Sequence, residues 1–263
     1  MSELRAAALG ALAVADPVAR CRAVEGLASI DVLDADRVLP EALVGRPARP
    51  RLVPAGAVPR RSSATKEGCA ALLHSIAHIE FNAIGLALDA IARFAGMPAE
   101  YYFDWRLVAL DEARHFTLLT GHLAALGHTY GDFDAHDGLW EMAIRTRGDV
   151  LDRMALVPRT LEARGLDASP QVRAKLLHAG DAAAAAILDV ILRDEIRHVA
   201  IGNRWFHWLC ARRGLDPVAA YAEIAARHRA PRPRGPLNLA ARQAAGFTPA
   251  ELEALQHLIP DSR

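Results

Sequence analysis

The sequence predicts an all-α fold dominated by four long helices, and two observations carry this prediction. Apolar runs rich in alanine and leucine, each followed by helix-stop residues, are plentiful, whereas segments with the alternating pattern of a strand are few. The pentapeptide DEARH at residues 111–115 also recurs as DEIRH at residues 194–198, both times within such a run. A chain of 263 residues, 52% of them hydrophobic, is long enough to bury an ordinary core.

The N-terminal part precedes these long helices. Two or three short helices are predicted within residues 1–37, where Asp16-Pro17 has the pattern of an N-cap and a first helical turn. Residues 38–62 contain five prolines, which remove backbone donors and fix φ, so we predict an extended basic strap. Its arginines could contact an anionic ligand, although a solvated loop is the simpler interpretation.

A four-helix bundle is predicted over residues 63–213. Gly96 ends the first helix and Pro98 opens the second, and Gly165, Ser169-Pro170 and Gly180 interrupt the second pair. We therefore expect residues 166–180 to form a short excursion. The predicted helices are A (64–95), B (98–126), C (139–164) and D (181–213).

The remaining residues, 214–263, form a tail in which two weaker helices are predicted, at 217–228 and 249–258. The whole chain is interpreted as one domain, because the strap and the tail lack a core of their own.

Composition excludes several classes of protein. The formal net charge is zero, so there is no clear signal for nucleic acid, and no run approaches the ~18 consecutive apolar residues of a membrane span. Three scattered cysteines, Cys21, Cys69 and Cys210, lack metal-ligand spacing and suit buried, reduced thiols in the cytoplasm.

The repeated pentapeptide contains the spacing E-x-x-H, which places a carboxylate and an imidazole one turn apart on one helix face. The pairs are Glu112 with His115 and Glu195 with His198. Two such motifs, completed by one glutamate from each of two further helices, form the dinuclear site of ferritin-like carboxylate proteins.

The two additional glutamates are predicted from their spacing. Glu80 lies 32 residues before Glu112, and Glu162 lies 33 residues before Glu195, so the two halves of the chain match. Glu141 is the alternative to Glu162, since it would be level with Glu195 if helices C and D formed an uninterrupted hairpin. The sequence leaves this choice open and favours Glu162.

A metal centre accounts for these residues better than a metal-free core does. One E-x-x-H pair alone is usually a solvated helix face, but four buried carboxylates without a cation would cost several kcal/mol per uncompensated ion. Asp111 and Asp194 precede the motif glutamates. They are either surface acids or acceptors for the N–H of the opposite motif's histidine, Asp111 with His198 and Asp194 with His115.

Four segments resemble an uncharacterised bacterial ferritin-like family, domain of unknown function 455, over about residues 15–217. They are LLHSIAHIEFNAIGLALDAIARFAGMP, DWRLVALDEARHF, MALVPRTLEARGLD and ILRDEIRHVAIGNRWF. The resemblance implies a ferritin-like fold and a dinuclear site at Glu80, Glu112, His115, Glu162, Glu195 and His198. It implies no settled reaction.

The leading functional hypothesis is an oxidoreductase with two metal ions, preferably iron, that activates dioxygen or peroxide to oxidise an unknown small molecule. No nucleotide-binding glycine loop is present, so a separate reductase or the substrate would supply electrons. The alternatives are a manganese site that dismutates peroxide, a non-catalytic metal-binding protein, and a metal-free scaffold whose motif residues pair with Arg114 and Arg197. The oligomeric state is left open.

Overall fold

The computed structural model describes residues 3–259, and over these residues it is all-helical, which confirms the predicted fold class. A single isolated bridge, Leu52 to Ala135, is the sole strand-like pairing in this part of the chain. The helices are α1 Leu4–Leu12, α2 Pro17–Glu25, α3 Lys66–Arg93, α4 Ala99–Ala125, α5 Gly138–Arg145, α6 Val150–Leu156, α7 Ala163–His178, α8 Ala182–Arg213, α9 Pro217–Arg227, α10 Leu239–Ala244 and α11 Pro249–His257.

By its internal contacts the chain divides into two compact units. Unit 1 comprises Met1–Trp140 and Lys175–Ile187, and unit 2 comprises Glu141–Ala174 and Leu188–Arg263. Each unit is described by itself below.

The hairpin of α3 and α4 forms the centre of unit 1 and confirms predicted helices A and B. Thr65 caps α3 by accepting the Gly68 N–H, and Gly96, with φ +73°, turns the chain towards α4. By length and composition α3 could span a membrane, but 67% of its apolar window is buried inside the protein, as expected for a core helix. Its burial therefore places one α3 face in the core.

Residues 38–62 form the predicted strap, which contains one short 3-10 turn at Ala55–Ala57 and no α-helix. At one end, the Gly45 N–H donates to the Leu12 carbonyl at 3.0 Å. A Cβ at Gly45 would lie 2.4 Å from the Ala13 carbonyl oxygen, so this close approach requires glycine. At the other end, the Val53 N–H donates to the Ala135 carbonyl at 2.8 Å. The strap is therefore held at both ends.

Unit 2 corrects the prediction for helix C and for the excursion at 166–180. Instead of one helix over 139–164, α5 is a separate short helix, and a second helical segment starts at Val150. This segment passes from α6 through a π-helical stretch, Val157–Glu162, into α7 and ends only at His178. Gly180, with φ +83°, then turns the chain into α8, so residues 163–178 are helix rather than an excursion.

Two prolines inside this segment are accommodated by bonds that local sequence does not reveal. Pro170 has no N–H to offer the carbonyl of Leu166, but the side-chain amide of Asn238 donates to that carbonyl at 3.2 Å. Pro158 lies in the π-helical stretch, where the Thr160 hydroxyl donates to the Ala155 carbonyl at 2.8 Å. The freed acceptor at Leu166 is thus satisfied, and helix C can continue.

The tail is fixed to unit 2 by a buried ion pair. The Arg159 guanidinium lies 2.7 Å from the Glu251 carboxylate and donates to the Asn203 side-chain oxygen at 2.7 Å. Its carbon lies 4.6 Å from the ring centroids of both Phe206 and Phe247. Helices α9 and α11 match the two predicted tail helices, whereas α10 was not predicted.

Candidate metal centre

The first half of the candidate centre lies in unit 1, where α3 contributes Glu80 and α4 contributes Glu112 and His115. Their exposed fractions are 3%, 0% and 0%. His115 Nδ1 lies 3.1 Å from Glu80 Oε2 and 3.4 Å from Glu112 Oε2, and ligand atoms of the three residues all lie within 4.8 Å of one another. This buried group of carboxylates and imidazole could hold a metal ion.

Register explains why these side chains meet. Gly96 lies 16 residues after Glu80 and 16 residues before Glu112 in a helical hairpin. At 1.5 Å per residue, both carboxylates lie about 24 Å from the turn and are therefore level. His115 follows Glu112 by three residues and faces the same side.

Charge in this group favours a cation. Burial raises the pKa of Glu80, and the negative charge of Glu112 raises it further. Burial alone would lower the pKa of His115, but its hydrogen bonds to Glu112 and Glu80 outweigh burial and raise that pKa to about 11. A proton on His115 thus neutralises part of the carboxylate charge, a role that a metal ion can take over.

The second half lies in unit 2, where Glu195 and His198 occupy one face of α8 and Glu162 ends the π-helical stretch. All three are buried, and His198 Nδ1 lies 3.8 Å from Glu195 Oε1. Short π-helical segments within α-helices are rare and occur frequently at functional sites. Here the segment ends at the predicted ligand.

The observed turn at Gly180 supports Glu162 without the predicted excursion. Gly180 lies 18 residues after Glu162 and 15 residues before Glu195, which corresponds to about 27 Å and about 22 Å of helix. An ion pair of 2.6 Å between Arg173 and Asp189 joins the two helices nearer the turn. The carboxylates are therefore level to within about one helical turn.

Glu141 does not fit this position. It lies on α5, outside the long helical segment, and its side chain is exposed. The sequence argument for Glu141 assumed that helices C and D turn near residue 168, whereas the turn lies at Gly180. The geometry of unit 2 therefore favours Glu162.

Asp111 and Asp194 are buried beside the motif glutamates. Within its own unit, Asp111 accepts a hydrogen bond of 3.4 Å from Arg114, and Asp194 accepts one of 3.1 Å from Arg193. Their predicted bonds to the opposite histidines stay a prediction, as does the joining of the two ligand halves into one centre.

Close packing beside the second half was missed at the sequence level. A Cβ at Gly202 would lie 2.5 Å from Cβ of Pro158. Gly202 lies one turn after His198 and Pro158 lies one turn before Glu162. The glycine in the string HVAIGNRW was the available signal, since an interior helical glycine usually has a packing reason.

The predicted thiols and histidines outside the motifs are structural. Cys21, Cys69 and Cys210 are all free and buried, as predicted. Burial raises the pKa of Cys21 and of Cys210 to about 11, so these thiols stay protonated and inert at neutral pH.

Fold and site together define a helical protein with a buried carboxylate and histidine group suited to a metal ion. The chain belongs to the family described as "Protein of unknown function (DUF455)", whose model matches residues 12–253. It is similar to an uncharacterized protein of Haemophilus influenzae, with 47% identity over an alignment of 259 residues that covers 92% of this chain and 90% of that protein. No solved structure matches the chain significantly.

Proposed function

We propose that this protein is a dinuclear metal oxidoreductase of the ferritin-like class, with iron as its metal. Glu80, Glu112 and His115 would hold one ion together with matching ligands from unit 2. Those ligands would be Glu162, Glu195 and His198. The buried group of Glu80, Glu112 and His115 carries the proposal, because its ligand atoms are already within 4.8 Å of one another.

Two iron ions would supply the electrons and the open coordination positions that dioxygen or peroxide activation requires. The chain's own residues have three roles in this proposal. Four glutamates balance the charge of the ions, two histidines complete the coordination, and Asp111 and Asp194 orient the histidine rings. Apolar helix faces exclude water from the reacting centre.

Regularity between the halves supports the assignment of six ligands. Both helical hairpins place a glutamate of one helix level with the E-x-x-H motif of the next, with a glycine of positive φ at each turn. Arg114 bonds to Asp111 at 3.4 Å and Arg197 lies 3.9 Å from Asp194, so each arginine has a partner that is not a proposed ligand.

The substrate would be a small molecule, with electrons supplied by a separate reductase or by the substrate, in a cytoplasmic protein. These points rest on the proposed centre and on the composition, and neither the fold nor the family names a substrate.

Elemental analysis tests the proposal. Protein expressed in medium supplemented with iron and manganese should contain about two ions of iron per chain, and Glu112→Gln should lose most of them. Admitting oxygen to the anaerobically reduced protein should then change its visible spectrum.

Other results would replace the proposal with a different function. Absence of both metals would favour a scaffold, and bound manganese with oxygen release from peroxide would establish a peroxide dismutase. Full iron loading without any spectral change would leave a metal-binding protein without turnover.

A further inference from the structure

A cleft lies between the strap and the outer face of α3, on the opposite side of that helix from Glu80. His78, Phe81, Asn82 and Gly85 line it from α3, at spacings of three, four and seven residues that define one helix face. Glu80 lies two positions from both His78 and Asn82, so it points away from this face. The cleft is therefore separate from the proposed metal ligands.

The cleft has the size and lining of a small-molecule site. It encloses about 440 Å³ of space open to solvent. Pockets for small ligands are typically apolar with a few convergent polar groups. The apolar walls come from the strap, α3 and the start of α5, and they include Val44, Pro47, Leu52, Phe81 and Trp140.

Arg20 is the unusual group in this cleft. Its side chain is 2% exposed, yet no carboxylate among residues 3–259 forms an ion pair with it. Its Nε donates to the Val14 carbonyl at 2.9 Å, and Nη2 donates to the carbonyls of Leu12, Val14 and Gly45. These bonds fix the guanidinium but leave its charge uncompensated.

One nitrogen of Arg20 is left for a ligand. Nη1 donates no hydrogen bond within the described chain and lies 3.7 Å from the position of a Cβ on Gly85, at the cleft floor. The guanidinium carbon lies 4.5 Å from the ring centroid of Phe81, so its flat face is covered and its edge is presented. Burial lowers the pKa of Arg20 to about 10, which keeps it charged at neutral pH.

The remaining charges favour an anion. Arg46 and Asp137 also line the cleft and pair with each other at 2.7 Å, so the three charged side chains sum to one positive charge. His78 is neutral in its network, where Tyr130 lies 2.8 Å from Nδ1 and the His136 carbonyl lies 3.1 Å from Nε2, and burial lowers its pKa.

Gly85 provides a second, independent observation. It lies inside α3 without a positive φ, where glycine costs about 0.5–1 kcal/mol relative to alanine. A Cβ there would meet only ordinary contacts of 3.6–3.7 Å, with Trp140, Arg20 and Leu12. Neither backbone conformation nor a clash explains this glycine, whereas room beside Arg20 does.

We propose that the cleft between the strap and α3 binds a small organic anion, with its carboxylate on Arg20 and its apolar part against Phe81 and Trp140. A carboxylate would complete the charge of Arg20, and the apolar walls distinguish such a ligand from inorganic phosphate.

Calorimetric titration of the full-length protein with benzoate and hexanoate, at pH 7 and low salt, tests this proposal. Both acids should bind, whereas benzamide and hexanamide, which lack the charge, should bind at least tenfold more weakly. Inorganic phosphate should also bind at least tenfold more weakly than benzoate.

Two substitutions locate the site without disturbing Arg20. Gly85→Ala should weaken benzoate binding and Gly85→Leu should abolish it, because the added side chain enters the cleft beside Nη1. Gly121→Ala and Gly121→Leu are the matched controls, since Gly121 lies inside α4 with no atom within 4 Å of its Cβ position. Circular dichroism and melting would verify that each variant is folded.

The proposal is overturned if neither acid binds, if an amide or phosphate binds as tightly as benzoate, or if folded Gly85→Leu binds benzoate like the Gly121 controls. None of these results depends on metal content, so a failure here is distinguishable from a failure of the proposed metal centre.

Discussion

Replacing Gly202 by alanine should separate α8 from the π-helical stretch that carries Glu162. The new Cβ would lie 2.5 Å from Cβ and 2.6 Å from Cγ of Pro158, whereas carbon atoms in contact are about 3.5–4.0 Å apart. The two backbones must therefore move apart by about 1 Å. Overpacking of this kind costs about 1–3 kcal/mol, of which the better helix propensity of alanine recovers about 0.5–1 kcal/mol.

This displacement would reach the proposed ligands directly. Gly202 follows His198 by one turn and Pro158 precedes Glu162 by one turn. Metal sites tolerate deviations of only about 0.2 Å in ligand distance. We therefore expect Gly202→Ala to lose metal to a greater extent than its modest loss of stability would suggest.

Melting and elemental analysis of one preparation measure both effects. Gly165→Ala is the control, because it lies on α7 with no atom within 4 Å of its Cβ position and should gain stability while keeping its metal. If Gly202→Ala melts like the wild type and loads fully, the contact with Pro158 does not position the ligands and the reasoning is refuted.

Three further predictions follow from the same geometry. Glu162→Ala should lower metal content markedly at an unchanged helical signal, whereas Glu141→Ala should retain the metal; the reverse pattern would contradict the observed turn. The pKa of Glu251 is lowered to about 2, because its bonds to His207 and Arg159 outweigh burial, so its stabilisation of about 3 kcal/mol is present above about pH 4.3 and lost towards pH 2. Unfolding by urea should therefore distinguish wild type from Glu251→Gln at pH 7 and not at pH 2; a constant difference would count against this. Anaerobic addition of ferrous ion should raise the melting temperature reversibly with a chelator, and an unchanged temperature would argue against binding to the native state.

Much of the fold could be predicted because local signals coincided with tertiary ones. Helix α3 begins after the capping Thr65, and the turn to α4 is made by Gly96. The first half of the centre followed directly, since two helices of known length and one turn determine which residues are level. The E-x-x-H spacing then selected Glu112 and His115.

The second hairpin was mispredicted because its prolines were interpreted locally. Pro170 should end a helix whose freed carbonyl has no other donor, but Asn238, 72 residues away from Leu166, provides one. No local pattern encodes such a bond. The choice of Glu162 survived because it rested on the repeated spacing rather than on the assumed excursion.

The cleft beside Arg20 could not be predicted either. Arg20 was one of 31 lysines and arginines in the sequence, and nothing nearby indicated that its partners would be carbonyls instead of a carboxylate. Gly85 offered a signal only once its neighbours Trp140 and Leu12 were known.

The ion pair between Arg159 and Glu251 has a consequence for how the protein matures during translation. Glu80, Glu112 and His115 are complete once residue 115 has been synthesised, so this ligand group can assemble early. The stretch that carries Glu162 acquires its buried ion pair only after a further 92 residues beyond Arg159 have been made. A nascent chain would thus hold a metal-attracting group well before its counterpart is fixed, which makes the timing of metal delivery part of correct assembly.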